Sequence, residues 1–192
     1  EQNGHLVRII EEVDPYLEMA AIHMRVYDVQ GPALFFENIK GSRFPAVSNL
    51  FGTLDRSRFM FRDSLDHVKK LVDVKMNPMS VLKKPLSYIG SSMTALGALP
   101  WKKRANAPIL YGQTTISELP QVVNWPMDGG AFVTMPQVYS EDINQPGIMH
   151  ANLGMSRIQL SGNEYIANKE IGLHYQLHRG IGVHQTKANA LG

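Results

Sequence analysis

At 192 residues, 44% of them hydrophobic, the chain holds enough apolar material for one sizeable domain or two small ones. A formal charge of +2, from 19 basic and 17 acidic residues, provides no strong field for nucleic acid or an anionic membrane, and the dense basic run Lys102-Lys-Arg104 reads as a solvated loop. The absence of cysteine excludes disulfides, thiolate metal sites and thiol nucleophiles, no apolar stretch reaches the roughly 20 residues that span a bilayer, and Glu1-Gln-Asn-Gly-His5 lacks a secretory pattern, so a cytoplasmic protein is expected.

Leu6 to Val13 mixes apolar and charged residues and reads as a strand leading into a helix. Asp14 as N-cap and Pro15 in the first turn predict that helix from Pro15 to about Tyr27, with Leu17, Ala20, Ala21 and Met24 on its buried face and His23 at a rim. Gly31-Pro32 ends it. Ala33 to Asn38 and Ala46 to Leu50 then read as two strands at hairpin-like spacing around the Lys40-Gly-Ser-Arg43 turn. From Thr53 to Lys75 helix formers dominate, as one long helix or two, with Phe59, Leu65, Val68, Leu71 and Val72 as its stripe and Met60 and Met76 as core fillers.

Prolines at 78, 85 and 100 cut the next stretch into short helical pieces with apolar faces at Val81, Leu82, Leu86, Ile89, Met93 and Leu96, and Lys102 to Pro108 suits a connection between subdomains. Beyond Pro108 the pattern turns to β-branched and aromatic runs, and strands are expected at Ile109–Thr115, Gly130–Thr134, Met155–Leu160 and Glu164–Ala167. Asp128-Gly-Gly130 and Ser161-Gly-Asn163 are turn chemistry. The expected fold is α+β: a small amino-terminal α/β domain over residues 1–105, followed over 106–192 by the beginning of a β-barrel-like domain.

Chemistry concentrates near the end of the chain. Asn152-Leu-Gly-Met-Ser-Arg157 and His174-Tyr-Gln-Leu-His-Arg-Gly180 gather an oxygen ligand for a hard cation, two guanidinium forks suited to phosphate or carboxylate, and glycines that let backbone approach a bulky ligand. Spacing alone leaves a surface turn and a surface ion pair open as alternatives. His174-x-x-x-His178 lacks the Glu of a zincin, which leaves His150, His174, His178 and His184 as a loose group. Neither a Walker phosphate loop nor a Gly-x-Ser-x-Gly elbow occurs. Trp125-Pro-Met-Asp-Gly-Gly130 reads as a buried Trp with a turn behind it, and Asp128 receives no catalytic role.

The succession Val13-Asp-Pro-Tyr-Leu-Glu-Met19, Gly31-Pro-Ala-Leu-Phe-Phe-Glu-Asn38, Gly41-Ser-Arg-Phe-Pro45 with Asn49-Leu-Phe-Gly52, and Leu119-Pro120 running into Trp125 to Gly130, ahead of the Asn152 segment, resembles the UbiD family of reversible aromatic and α,β-unsaturated acid decarboxylases. The resemblance runs from near residue 13 to about residue 185. It implies a flavin-binding split β-barrel and prenylated FMN, delivered by a flavin prenyltransferase and held through its phosphate by a divalent cation, Mn²⁺ or Mg²⁺, with K⁺ as a companion. It further implies Asn152 as a metal ligand, Met155, Ser156 and Arg157 along the flavin, His174, Tyr175 and Gln176 as a second flavin-contacting stretch, and Arg179 and Gly180 on the cofactor as well. Arg157 would also be catalytic, binding the substrate carboxylate. Ser156 stands where members often have an aromatic residue, and His174 where some have Arg.

In the family a further acidic metal ligand and the catalytic acids follow the His174–Gly180 type of segment, whereas Glu164 and Glu170, the only acids after Asn152, precede it. The chain is therefore expected to be an amino-terminal portion, inactive alone, whose uncovered strand edges favour a homo-oligomer. Two other readings stand beside this one: an assembly or binding protein that keeps the decarboxylase scaffold, and a redox protein using ordinary FMN.

Overall fold

The computed structural model describes residues 1–77 and 106–191. Strand β1 (Leu6–Val13), helix α1 (Glu18–Asp28) and strand β2 (Ala33–Ile39) form a crossover with β1 and β2 parallel, and β3 (Ala46–Ser48) returns antiparallel to β2. The core is Val13, Met19, Leu34, Phe36 and Ile39, with Ile9, Ile22, Val26, Ala46 and Val122 packed against it. Val122 comes from the second half of the chain. Its neighbour Val123 exchanges backbone bonds with Leu17 and Pro15, each 3.0 Å, so the two halves share one core edge.

Helix α1 begins at Glu18, three residues later than the Asp14-Pro15 signal predicts. The Asp14 carboxylate accepts instead from Tyr16 N (2.8 Å), and Tyr16 forms a bridge with Val123, which takes this backbone out of the helix. Leu17 turns through a left-handed conformation (φ 64°) to start α1. The stripe that packs inward is Met19, Ile22 and Val26, whereas Ala21 and Met24 face solvent. Apolar residues encircle this helix, and the β1–α1–β2 crossover selects which of them are covered. His23 lies at the rim, Nδ1 3.2 Å from Ser48 Oγ.

The helical stretch that follows is two helices, α2 (Leu54–Met60) and α3 (Leu65–Met76). Thr53 caps α2 by accepting from Arg56 N at 3.2 Å. Met60 and Met76 are exposed rather than core fillers, and Val68 and Val72 of the expected stripe are exposed as well. The Pro-punctuated helical pieces, and most of the Lys102–Pro108 connection, lie outside the described residues.

The second half carries β4 (Phe132–Val133), β5 (Gln137–Glu141), β6 (Ala151–Met155), β7 (Arg157–Gln159), β8 (Gly172–His174) and helix α4 (Gly180–Asn189). They form two small sheets, β4-β7-β8 and β5-β6, with no closed barrel among the described residues. The expected Met155–Leu160 strand is shared between them. At Ser156, whose N–H donates to Pro136 O (3.3 Å), the chain leaves its pairing with β5 and passes to β4 and β8. Ile109–Thr115 is not a strand: Pro108 opens a 3-10 turn and Ile109, Leu110 and Tyr111 are exposed. Glu164–Ala167 is turn structure too, entered through left-handed Asn163 and Glu164.

Candidate functional site

Strand β7 places Arg157 and Gln159 on one face, opposite His174 and Gly172 of β8, with Phe132 of β4 paired to Gln159. Gln159 is fully buried, and its carbonyl oxygen accepts from Asn163 Nδ2 and pairs with His174 Nε2, both at 3.0 Å. The His174 ring stands edge-on to Phe132, centroids 5.3 Å apart. Arg157 lies flat over the same ring, its guanidinium carbon 3.6 Å from the centroid, and makes a two-pronged bond to Asp128, Nη1 to Oδ1 at 2.9 Å and Nη2 to Oδ2 at 2.6 Å. One aromatic platform thus carries a cation and an imidazole, with a buried amide hydrogen-bonded to that imidazole.

The hydrogen bonds from Arg157 hold the Asp128 carboxyl below the usual carboxylate range despite its burial. Because the folded-state value is depressed, the stability from this pair is present above the ordinary value and disappears as pH falls through the folded one. Wild type is therefore expected to melt higher than Asp128→Asn at neutral pH, and the gap should close below about pH 4. Melting curves across that range check it; a gap that persists in acid would mean the pair does not titrate with folding. Sequence reasoning gave Asp128 only a turn role and expected a buried Trp125, which is in fact 57% exposed.

On the β5-β6 sheet, Asn152 is paired with Ser140 and shares its face, while Leu153 and Met155 project from the other face. The Asn152 face receives α4. A Cβ on Gly180 would fall 2.3 Å from Asn152 Oδ1, so only glycine lets the start of α4 approach this carboxamide. Ser140 Oγ meets His184 Nδ1 at 2.9 Å, and Asp142 pairs with Lys187, which lowers the Asp142 pKa. Positions 180, 184 and 187 thereby form the docking face of α4. Sequence reasoning missed this helix: Gly180 and Gly182 weaken it, its apolar residues make no stripe, and its anchors are tertiary.

The expected site residues fall into two groups. Arg157 and His174 meet on the Phe132 platform; Asn152, Gly180 and the α4 cap residue Arg179 meet at the start of the helix. Ser156 is the crossing point between the sheets, and Gln176 accepts from Arg179 Nε at 3.1 Å. Tyr175 lines an open cleft of 520 Å³ with Val138, Ser140, Ile181, His184 and Gln185. Met155 is exposed on the far face of β6. The four histidines noted above do not converge, and among the described residues no three His, Asp or Glu side chains are grouped for a metal. No helix among the described residues is long and apolar enough to cross a membrane.

Comparison with known proteins gives the family. Residues 1–75 match the model of the 3-octaprenyl-4-hydroxybenzoate carboxy-lyase N-terminal domain, and residues 102–192 that of the Rift-related domain of the same enzymes. A Chlamydia pneumoniae protein named as a component of 4-hydroxybenzoate decarboxylase is 36% identical over 186 residues, which cover 95% of this chain and 30% of that protein. Among solved structures, the closed form of the vanillic acid decarboxylase of Sedimentibacter hydroxybenzoicus superposes with a TM-score of 0.73 at 23% identity, covering 98% of this chain and 38% of that one. An evolved dimeric form of the UbiD-class enzyme HmfF from Pelotomaculum thermopropionicum, in complex with prFMN, superposes with a TM-score of 0.63 at 22% identity, covering 100% and 39%. The chain spans 30–40% of the length of the curated relatives it matches. With both domain models matched in order along it, the chain belongs to the UbiD family of carboxy-lyases.

Proposed function

We propose that the protein takes part in the reversible, non-oxidative decarboxylation of an aromatic or α,β-unsaturated carboxylic acid with prenylated FMN, this chain supplying part of the cofactor and substrate site. The observation that carries the reading is the Asn152 carboxamide, which makes no hydrogen bond to any described residue and sits against a glycine where a side chain would collide. An oxygen donor beside a helix start, with Arg179 at the cap, fits a phosphate shared with a hard divalent cation. Asn152 would be one ligand of that Mn²⁺ or Mg²⁺, with K⁺ as a further ion, and Gly180, Arg179, Tyr175 and Gln176 would border the cofactor.

When bound, the cofactor supplies an electron sink. The chain's own residues bind and orient: Arg157 uses N–H donors not taken by Asp128 to hold the substrate carboxylate, and Phe132 keeps the guanidinium flat and shields one of its faces from water. The decarboxylases of 4-hydroxybenzoate and vanillic acid among the relatives make hydroxylated benzoic acids the first substrates to try. A flavin prenyltransferase would supply the cofactor, and the protein would act as a homo-oligomer.

Asn152→Ala in the full-length protein is expected to weaken flavin retention by about tenfold or more, through loss of a ligand to the bridging cation. Flavin content after desalting, with mass spectrometry of the extracted cofactor, is the measurement. Wild-type retention would remove Asn152 from the metal site. Ordinary FMN together with nicotinamide oxidation would favour redox chemistry instead.

A further inference from the structure

The Arg157–Asp128 contact does more than neutralise a charge. A guanidinium has five N–H donors in a plane. Asp128 takes the two at the Nη1–Nη2 end, and the other three have no partner among the described residues. The carboxylate is the better covered partner, its side chain 10% exposed against 32% for Arg157, so the open side of the pair is the cation.

The backbone that carries Asp128 is locked. Asp128 N–H donates to Trp125 O at 3.0 Å, and Gly129 follows with φ +76°. A Cβ on Gly130 would lie 1.8 Å from Ser161 O, and one on Gly162 1.8 Å from Gly129 O, so the two turns stand back to back without room for side chains. With Phe132 buried beneath it, the guanidinium plane is held by one ring and one carboxylate.

We propose that Asp128 is a positioning residue for carboxylate recognition: it fixes the Nη1–Nη2 edge of Arg157 and cancels its charge, so that a substrate carboxylate is held by directed N–H bonds rather than by a bare cation. This rests on the reading of Arg157 as the carboxylate-binding residue. The chemistry gives the reason. As CO₂ leaves, the electron pair of the broken C–C bond stays with the decarboxylated fragment, which then takes up a proton at that carbon, and the negative charge at the carboxylate is lost. An uncompensated guanidinium stabilises the charged acid more than the transition state and so slows the step. A neutralised one orients the acid at less cost to turnover.

The test uses the full-length, flavin-loaded protein with 4-hydroxybenzoate and vanillate as probe acids, and compares wild type with Asp128→Asn, Asp128→Glu, Arg157→Lys and the Asp128→Asn/Arg157→Lys double variant. Dissociation constants come from calorimetry; kcat, flavin content and melting temperature are read alongside. Asp128→Asn should bind the acid about tenfold more tightly, since one nearby negative charge is gone, while kcat falls by about tenfold. Asp128→Glu, which keeps the charge on a longer arm, should keep wild-type affinity with a lower kcat. The double variant should be no slower than Arg157→Lys alone.

A purely structural Asp128 would weaken affinity and turnover together, in step with the melting temperature, and would add its loss to that of Arg157→Lys. That result, or an Asp128→Asn variant unchanged in both constants beside a crippled Arg157→Lys, overturns this inference and leaves the role of Arg157 standing. If wild type binds neither acid, or if Arg157→Lys binds and turns over normally, the carboxylate reading itself fails, and this inference with it.

Discussion

Replacing Arg157 by Lys in the full-length protein is expected to cut turnover of an aromatic acid, counted per bound flavin, by about 100-fold or more, with circular dichroism unchanged. Lysine retains the charge but presents it at a point on a flexible stem. It can neither meet both oxygens of Asp128 in one plane nor lie flat at 3.6 Å over the Phe132 ring. A guanidinium held in this way still directs donors elsewhere; an ammonium placed against Asp128 is spent on it. Turnover and flavin occupancy measured on the same preparation check this. Near-normal kcat would make Arg157 a structural clamp between the Asp128 turn and β7.

The largest stability effect is expected far from that platform, at Arg56. Its side chain is 3% exposed, and its guanidinium donates to Leu50 O and Gly31 O, each at 2.9 Å, and to Asn49 O. Burial pulls its pKa below the usual arginine value, and the three carbonyls hold the charge in place. The carbonyls belong to the turn before β2 and the loop after β3, so one side chain ties α2 to both. Arg56→Ala removes three donors at once, although Gly31 O keeps Asn49 Nδ2 and Asn49 O keeps Gly52 N–H, and should cost about 2–3 kcal/mol. Arg56→Lys should recover less than half, since one ammonium cannot reach three directions in a plane. Urea unfolding reads both; a midpoint shift for Arg56→Ala no larger than for an exposed-residue control would show that the loops are held by other means.

Both predictions concern arginines with a partner remote in sequence, Asp128 for Arg157 and Gly31 for Arg56, and this separation limits what a sequence can reveal. Arg157 and Asp128 are 29 residues apart, and the Asp128-Gly-Gly130 turn is equally good turn chemistry whether or not an arginine waits across the sheet. Arg56 looks like any helical surface arginine. Its burial comes from the path of the loops around it, with Asn49 in a left-handed conformation (φ 57°) and Gly52 so close that a Cβ would lie 1.8 Å from Asn49 Oδ1.

What the sequence determined by itself was local or ordered along the chain. The succession of motifs from Val13 to Gly180 was enough to reach the family, and the mixed α+β class followed from the change of pattern after Pro108. The β2–β3 hairpin was legible because Gly31-Pro32 opens the first apolar run and the Lys40 to Arg43 turn separates it from the second. The tertiary structure alone decided where α1 begins, because the bridge from Tyr16 to Val123 outcompetes the Asp14 cap. It alone made a helix of Gly180–Asn189, through His184 on Ser140 and Lys187 on Asp142. It also split one expected strand between two sheets at Ser156 and set Arg157 against Asp128. The physical reason is common to all four. Propensities, caps and turns act over a few residues and leave their mark in the sequence, whereas contacts between distant segments are settled only when the folded chain chooses among locally comparable alternatives.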